Sequence, residues 1–137
     1  MKLSLTAIFA LLAVTFSFGQ LEKTLHQTFE IGEVSTISLD LHGEYEIVLW
    51  ASNNVMTETK IELYESSPSI LNHFIEKDKR YLIESDTSGS SLVLRSHDKK
   101  RPPIRTRNGE CFEIVRLKIF VPEKFNIENP VTLVRTE

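Results

Sequence analysis

A chain of 137 residues, 41% hydrophobic and 26% charged, has enough apolar material for one folded domain. Its formal charge is −3, and −4 once Lys2 is set aside with the first 19 residues, so it lacks the basic field that nucleic acid requires of a partner. Cys111 is the only cysteine, which excludes an internal disulfide and leaves packing to hold the fold.

Met1 and Lys2 form a short positive start, and Leu3 to Phe16 follows as an apolar run interrupted only by Ser4, Thr6 and Thr15. Ser17 and Gly19 then supply the small side chains that a signal peptidase admits at positions −3 and −1. The pattern predicts a secretory signal over residues 1–19, cleaved before Gln20. A single β-rich domain over 20–137 follows, destined for the periplasm, the cell surface or the medium. Beyond residue 20 no apolar stretch is long enough for a transmembrane helix.

From Thr24 to Trp50 apolar residues recur at every second position, with Val34, Ile37, Leu39 and Leu41 before a His42-Gly43-Glu44 turn and Tyr45, Ile47 and Leu49 after it. Period two means one packed face and one wet face, and the turn predicts a hairpin of Val34–Leu41 with Tyr45–Trp50. A third alternating run, Val55 to Tyr64, opens after Ser52-Asn53-Asn54 and extends the pattern to a three-stranded meander. Ser67-Pro68 then reads as a helix start, with Ile70, Leu71, Phe74 and Ile75 on one side. The helix is expected over about 68–79, with the cations Lys77 to Arg80 at the negative end of its dipole.

Tyr81–Ser85 and Leu92–Ser96 read as a second hairpin. His97 to Gly109 is polar, carries Pro102 and Pro103, and does not suit a central strand. Cys111 to Val121 is the strongest strand: Val115, Leu117, Ile119 and Val121 face one way and Phe112, Ile114 and Phe120 the other, which marks it as central. Cys111 is expected to be a buried, inert thiol. Val131 to Val134, after Pro130, reads as a final edge strand or the opening of a repeat. The fold class is therefore mainly β, with six or seven mostly antiparallel strands in a sandwich-like or open sheet and one short helix.

Sequence motifs for catalysis are lacking. There is no Gly-rich phosphate loop, no His-Glu-x-x-His and no Gly-x-Ser-x-Gly, and His26, His42, His73 and His97 stand singly. No catalytic, cofactor-binding or metal-ligating residue is predicted, and no cofactor. The carboxylates Glu44, Glu46, Glu58, Glu62, Glu76 and Asp78 sit where solvated strand or helix positions are expected. Trp50, Tyr45, Tyr64 and Tyr81 are expected to close the ends of the core. One local composition shift stands out, Lys99-Lys100-Arg101-Pro102-Pro103-Ile104-Arg105-Thr106-Arg107. Lys99, Lys100, Arg101, Arg105 and Arg107 on a proline-stiffened backbone offer contacts to an anionic glycan, a lipid headgroup or an acidic protein surface. A solubilising loop that shields a sheet edge would carry the same charges.

The order of an export signal ending in Phe18-Gly19-Gln20, then Val34-Ser35-Thr36-Ile37-Ser38-Leu39-Asp40-Leu41-His42-Gly43-Glu44-Tyr45-Glu46-Ile47, then Ile119-Phe120-Val121-Pro122-Glu123-Lys124-Phe125, resembles the opening segment of the exported bacterial adhesin family of domains of unknown function. The likeness covers about residues 29–125. It implies a β-solenoid-type fold and a periplasmic or cell-surface protein without catalytic activity, and it carries over no functional residue. The Gly- and Asn-rich rungs that follow in that family have no counterpart in this chain. An exported, non-catalytic binding or adhesion module is the expectation, with a carrier of a small apolar ligand or an enzyme inhibitor as the alternative. Amino-terminal sequencing of the protein recovered from its native cells is expected to begin at Gln20; an intact Met1 overturns the export expectation.

Overall fold

The computed structural model describes residues 20–136, so the signal expected over 1–19 lies outside the described residues. The domain is mainly β and its strands form two packed sheets. The first holds β1 (Gln20–Phe29), β4 (Val55–Tyr64), β9 (Glu113–Pro122) and β3 (Tyr45–Trp50) in the order β1-β4-β9-β3. The second holds β10 (Phe125–Asn129), β11 (Thr132–Arg135), β2 (Thr36–Asp40), β6 (Ser91–Ser96) and β5 (Ile83–Ser88) in the order β10-β11-β2-β6-β5. A two-stranded ribbon, β7 (Arg105–Thr106) with β8 (Gly109–Glu110), stands apart from both. Pairing is mostly antiparallel; among the described residues only β2 with β6 and β3 with β9 run parallel.

The sheets meet through the alternating residues the sequence marks as apolar. Ile37, Leu39, Leu92, Leu94 and Leu133 from one sheet pack against Val55, Leu117, Ile119 and Val121 from the other. In β4 the whole run Val55, Thr57, Thr59, Ile61 and Leu63 is buried, and β9 is paired along both edges, between β4 and β3, as its central place predicts. At the rim the Gln27 side chain exchanges two hydrogen bonds with the Ile83 backbone, each 2.9 Å, and ties edge strand β1 to edge strand β5.

Several local expectations are corrected. The Val34–Leu41 and Tyr45–Trp50 segments are not a hairpin, and no β2-β3-β4 meander exists: His42-Gly43-Glu44 is a corner, with Gly43 at φ +78°, that carries the chain from one sheet to the other. Period-two burial specifies a face and not a partner, so the pattern reads the same for a hairpin and for two strands in facing sheets. β1 is a full strand that the sequence pattern does not announce, because only Leu21, Leu25 and Phe29 of its ten residues are apolar and packed inward. With β1, the split tail and the β7–β8 ribbon the strand number among the described residues rises to eleven. Val131–Val134 is not an edge: β11 lies between β10 and β2. The β5–β6 hairpin forms as expected.

The ten-residue strands of the first sheet extend past the second, and their free half is covered by the helix. Ser67 has extended backbone (φ −114°, ψ 158°) and its Oγ accepts from the Ile70 N–H, so α1 (Pro68–Asn72) starts where Ser67-Pro68 predicts. It continues as a single π-helical turn, His73–Lys77, closed by the Asp78 N–H donating to the His73 carbonyl at 3.0 Å. Leu71 packs with Ile61, Leu63, Tyr81, Ile104 and Cys111 in a second apolar cluster. Cys111 is buried and unpaired there. Among the described residues no helix is long and apolar enough to cross a membrane.

Ile119, fully buried at the centre of β9, and Phe112, 64% exposed at its approach, make a test pair. Ile119→Ala is expected to cost about 3 kcal/mol in urea unfolding, and Phe112→Ala less than about 1 kcal/mol.

Candidate functional site

The basic segment is not one patch. Pro102-Pro103 leads Ile104 into the second cluster, where it is fully buried, and Cys111 N–H donates to the Ile104 carbonyl at 2.8 Å, closing the β7–β8 ribbon as an outward loop. In the ribbon's turn Thr106 Oγ1 accepts from the Asn108 N–H, and Gly109 takes φ +112°. Arg105 and Arg107 are thereby held on the outside, facing α1.

Between the ribbon and the helix lies an open cleft of about 840 Å³. Ile70, His73 and Phe74 form one wall; Arg105, Arg107 and Asn108 form the other. Arg105 makes only a loose ion pair with Glu110, at 3.8 Å and largely in water, and Arg107 has no ion pair among the described residues. Ser66 Oγ, at the helix approach, is buried without a hydrogen-bond partner among the described residues. Among the described residues Glu65 is the one carboxylate in the lining. The cleft joins a half-buried apolar wall to two available guanidinium groups, which suits a ligand with an anionic group next to an apolar surface.

The remaining cations are used elsewhere. Lys99 pairs with Asp40, whose carboxylate also faces Arg95 at 3.7 Å; the hydrogen bond from Lys99 holds the Asp40 carboxyl below its ordinary value. Lys100 is exposed. Arg101 turns inward with a backbone φ of +42°, and its guanidinium lies 5.3 Å from the centre of the Tyr81 ring. Burial depresses its pKa, and its Nε is buried without an acceptor among the described residues.

Arg101 borders a polar network that no sequence motif marks. Arg80, almost wholly buried, donates from Nε (3.1 Å) and Nη2 (2.8 Å) to the two Glu113 carboxylate oxygens, and from Nη1 to the Pro102 carbonyl. The Tyr81 hydroxyl donates to Glu113 as well. Burial alone would raise the Glu113 pKa, but the hydrogen bonds from Arg80 and Tyr81 and the charges of Arg80 and Arg101 outweigh it and hold the carboxyl below its ordinary value of 4.5. Burial and the same hydrogen bond push the Tyr81 hydroxyl upward. A small cavity of about 210 Å³ beside the network is lined by His42, Thr59, Tyr81, Ser96, Arg101 and Glu113. Three shifted groups in one cavity are a pattern shared by active sites and structural ion-pair networks. Here Glu113 is ionised with both oxygens engaged and makes a poor base, while Tyr81 is held protonated, so the arrangement acts as a clamp between the Arg80 loop and the start of β9.

Glu113 was legible in principle. It stands two residues before Val115 in the series 113, 115, 117, 119 and 121, so alternation places a carboxylate on the apolar face of the strongest strand. Arg80 is its partner and not a helix-dipole cation. The singled-out acids lie on the surface or near it, Glu58 with His26 at 3.2 Å and Glu62 with Arg116 at 3.5 Å. Tyr81 belongs to the core as expected and Tyr45 packs against it. Trp50 and Tyr64 do not: they alternate onto the outer face of the first sheet, where Trp50 lies 5.4 Å from Phe120 and Tyr64 5.5 Å from Phe112. Among the described residues no group of three or more His, Cys, Asp or Glu is placed to hold a metal ion.

No protein-family model, curated protein or solved structure matches this chain.

Removing the carboxylate from the clamp leaves Arg80 buried and unpaired, so Glu113→Gln is expected to cost about 3 kcal/mol in urea unfolding at neutral pH. Because the folded-state pKa of Glu113 is depressed, its stabilisation is complete above pH 4.5 and is lost as pH falls from there through the folded value. The wild type should therefore lose more stability than Glu113→Gln over that acid range, and parallel acid limbs for the two proteins would refute the clamp.

Proposed function

We propose that this chain is an exported, non-catalytic binding module of the adhesion type that takes an anionic partner in the cleft between α1 and the β7–β8 ribbon. The observation that carries the proposal is the pairing of Arg105 and Arg107 with the apolar wall of Ile70 and Phe74 across about 840 Å³. Guanidinium groups bind carboxylate, sulfate and phosphate through paired N–H donors, and the apolar wall adds contact area for whatever carries the anion. Export rests on the Leu3 to Phe16 run and the small residues before Gln20. The resemblance to the exported adhesin family supports the same assignment.

A second reading makes the protein a carrier of a small apolar ligand. The volume of the cleft favours it, since ligand pockets commonly fall between roughly 300 and 1,000 Å³.

Heparin and vesicles containing an anionic phospholipid serve as probes. The Arg105→Gln, Arg107→Gln double variant is expected to bind the preferred probe at least about tenfold more weakly, with the difference shrinking at high salt. Lys99→Gln, which touches only the Asp40 pair, should bind like the wild type. Equal binding by the double variant and the wild type refutes the anionic assignment, and a co-purifying uncharged lipid or other apolar molecule seen by mass spectrometry establishes the carrier.

A further inference from the structure

The two sheets have four edge strands, and three of them are guarded. β1 carries Glu22, Lys23 and His26; β5 carries Glu84 and Asp86; β10 breaks its register between Ile127 and Asn129 and is followed by Pro130. β3 is the least guarded, with one charge and neither a register break nor a proline. Its sequence, Tyr-Glu-Ile-Val-Leu-Trp, ends in four consecutive apolar residues, and Glu46, its only charge, stands beside Lys118 of β9 in the same sheet. One side of β3 pairs with β9, and the other pairs with no strand among the described residues.

Two further observations fall on the same side of the molecule. Towards the Trp50 end of β3 the outer face is apolar where a solvated face should be polar: Val48 and Met56 both lie opposite Phe120 in neighbouring strands, and Trp50 packs on the Phe120 ring. Large exposed apolar residues also gather there. Leu49, on β3 itself, is 44% exposed, and Ile127 and Val131 (49% each) belong to β10 and its turn, which the Tyr45 hydroxyl ties to β3 by donating to the Pro130 carbonyl. They are three of the four large hydrophobic residues left exposed among the described residues, the fourth being Phe112.

We propose that the free edge of β3 is a self-association edge, at which two copies of this chain pair β3 to β3, antiparallel about a two-fold axis, and run the first sheet on across the junction. The strand is complementary to itself. A two-fold axis normal to the sheet keeps inner faces on one side, so only every second register is available. Centring it on Val48 sets Val48 against Val48 of the second copy, Ile47 against Leu49, and Glu46 against Trp50. Met56, Phe120 and Val48 then form one unbroken apolar row with the same three residues of the second copy. The two Glu46 carboxylates stay apart, each beside its own Lys118. Shifting the centre to Ile47 would set Glu46 against Val48 and break the row. The edge has no free cation of its own to draw an acidic peptide, which leaves the apolar strand of a second copy as the matching occupant.

Sedimentation velocity on the full mature chain tests this, with introduced thiols as the readout of register. The wild type is expected to sediment at twice the chain mass at micromolar concentration. Val48→Cys should give a single disulfide-linked dimer on mild oxidation, because Cys111 is buried and Val48 meets its own copy; Lys60→Cys, exposed on the outer face of β4, should stay unlinked. Val48→Lys should raise the concentration for half-association at least about tenfold with an unchanged far-ultraviolet spectrum. A wild type that is monomeric up to about 100 µM overturns the proposal. So does a dimer in which Val48→Cys does not cross-link, because the contact then lies elsewhere. Capture of a different protein at Val48→Cys in place of a second copy overturns it too.

Discussion

Strands β1, β4 and β9 run for ten residues, and the strands facing them run for four to six. This mismatch governs the molecule. One half of the long sheet is covered by the second sheet; the other exposes Ile61, Leu63, Leu21 and Leu25 to whatever the chain can bring over them. Apolar surface of that extent is unstable in water, and α1, its π-helical turn and the Pro102–Ile104 segment supply the cover. Leu71 is buried in that cover, and Ile70, Phe74 and Ile75 pack half-buried against it, with Ile70 and Phe74 also facing the cleft.

A cover made from short segments has little apolar area of its own, and here a polar clamp completes it. Arg80 reaches from the end of the helical segment to Glu113 at the start of β9 and to the Pro102 carbonyl, so one guanidinium joins three otherwise independent pieces of chain. A carboxylate on the inner face of a strand would be costly alone; with Arg80 and Tyr81 as donors it becomes a fixed point. The α1 cleft is a by-product of the same arrangement. Ile104 is anchored inside, the ribbon beyond it is pushed outward, and Arg105 and Arg107 are left standing opposite the solvent side of the helix.

The sequence carried more of the fold than of the site. Alternation identified the buried face of β4 and β9, and Ser67-Pro68 located the helix start, because both depend on residues close in sequence. It misjudged β2 and β3, whose pattern is identical for a hairpin and for a crossing between sheets, and it passed over β1, whose polar composition hides a strand held mainly by its full pairing with β4. For the cleft, five clustered cations looked equivalent. The structure separates them, with Arg105 and Arg107 outward, Lys99 paired with Asp40, Lys100 exposed and Arg101 folded over Tyr81.

What the sequence determined by itself is local and one-dimensional: a mainly β chain with a short helix, a strand apolar enough to be central, and a single thiol destined for burial. Periodicity, capping and composition are set by neighbours along the chain, and they survive in any arrangement of the strands. Tertiary structure alone decided which strand pairs with which, which of the five cations remains free, and which edge is left bare. Each of those depends on residues tens of positions apart, such as Arg80 with Glu113 or Asp40 with Lys99, and a pairwise contact over such a distance leaves no period in the sequence to be read.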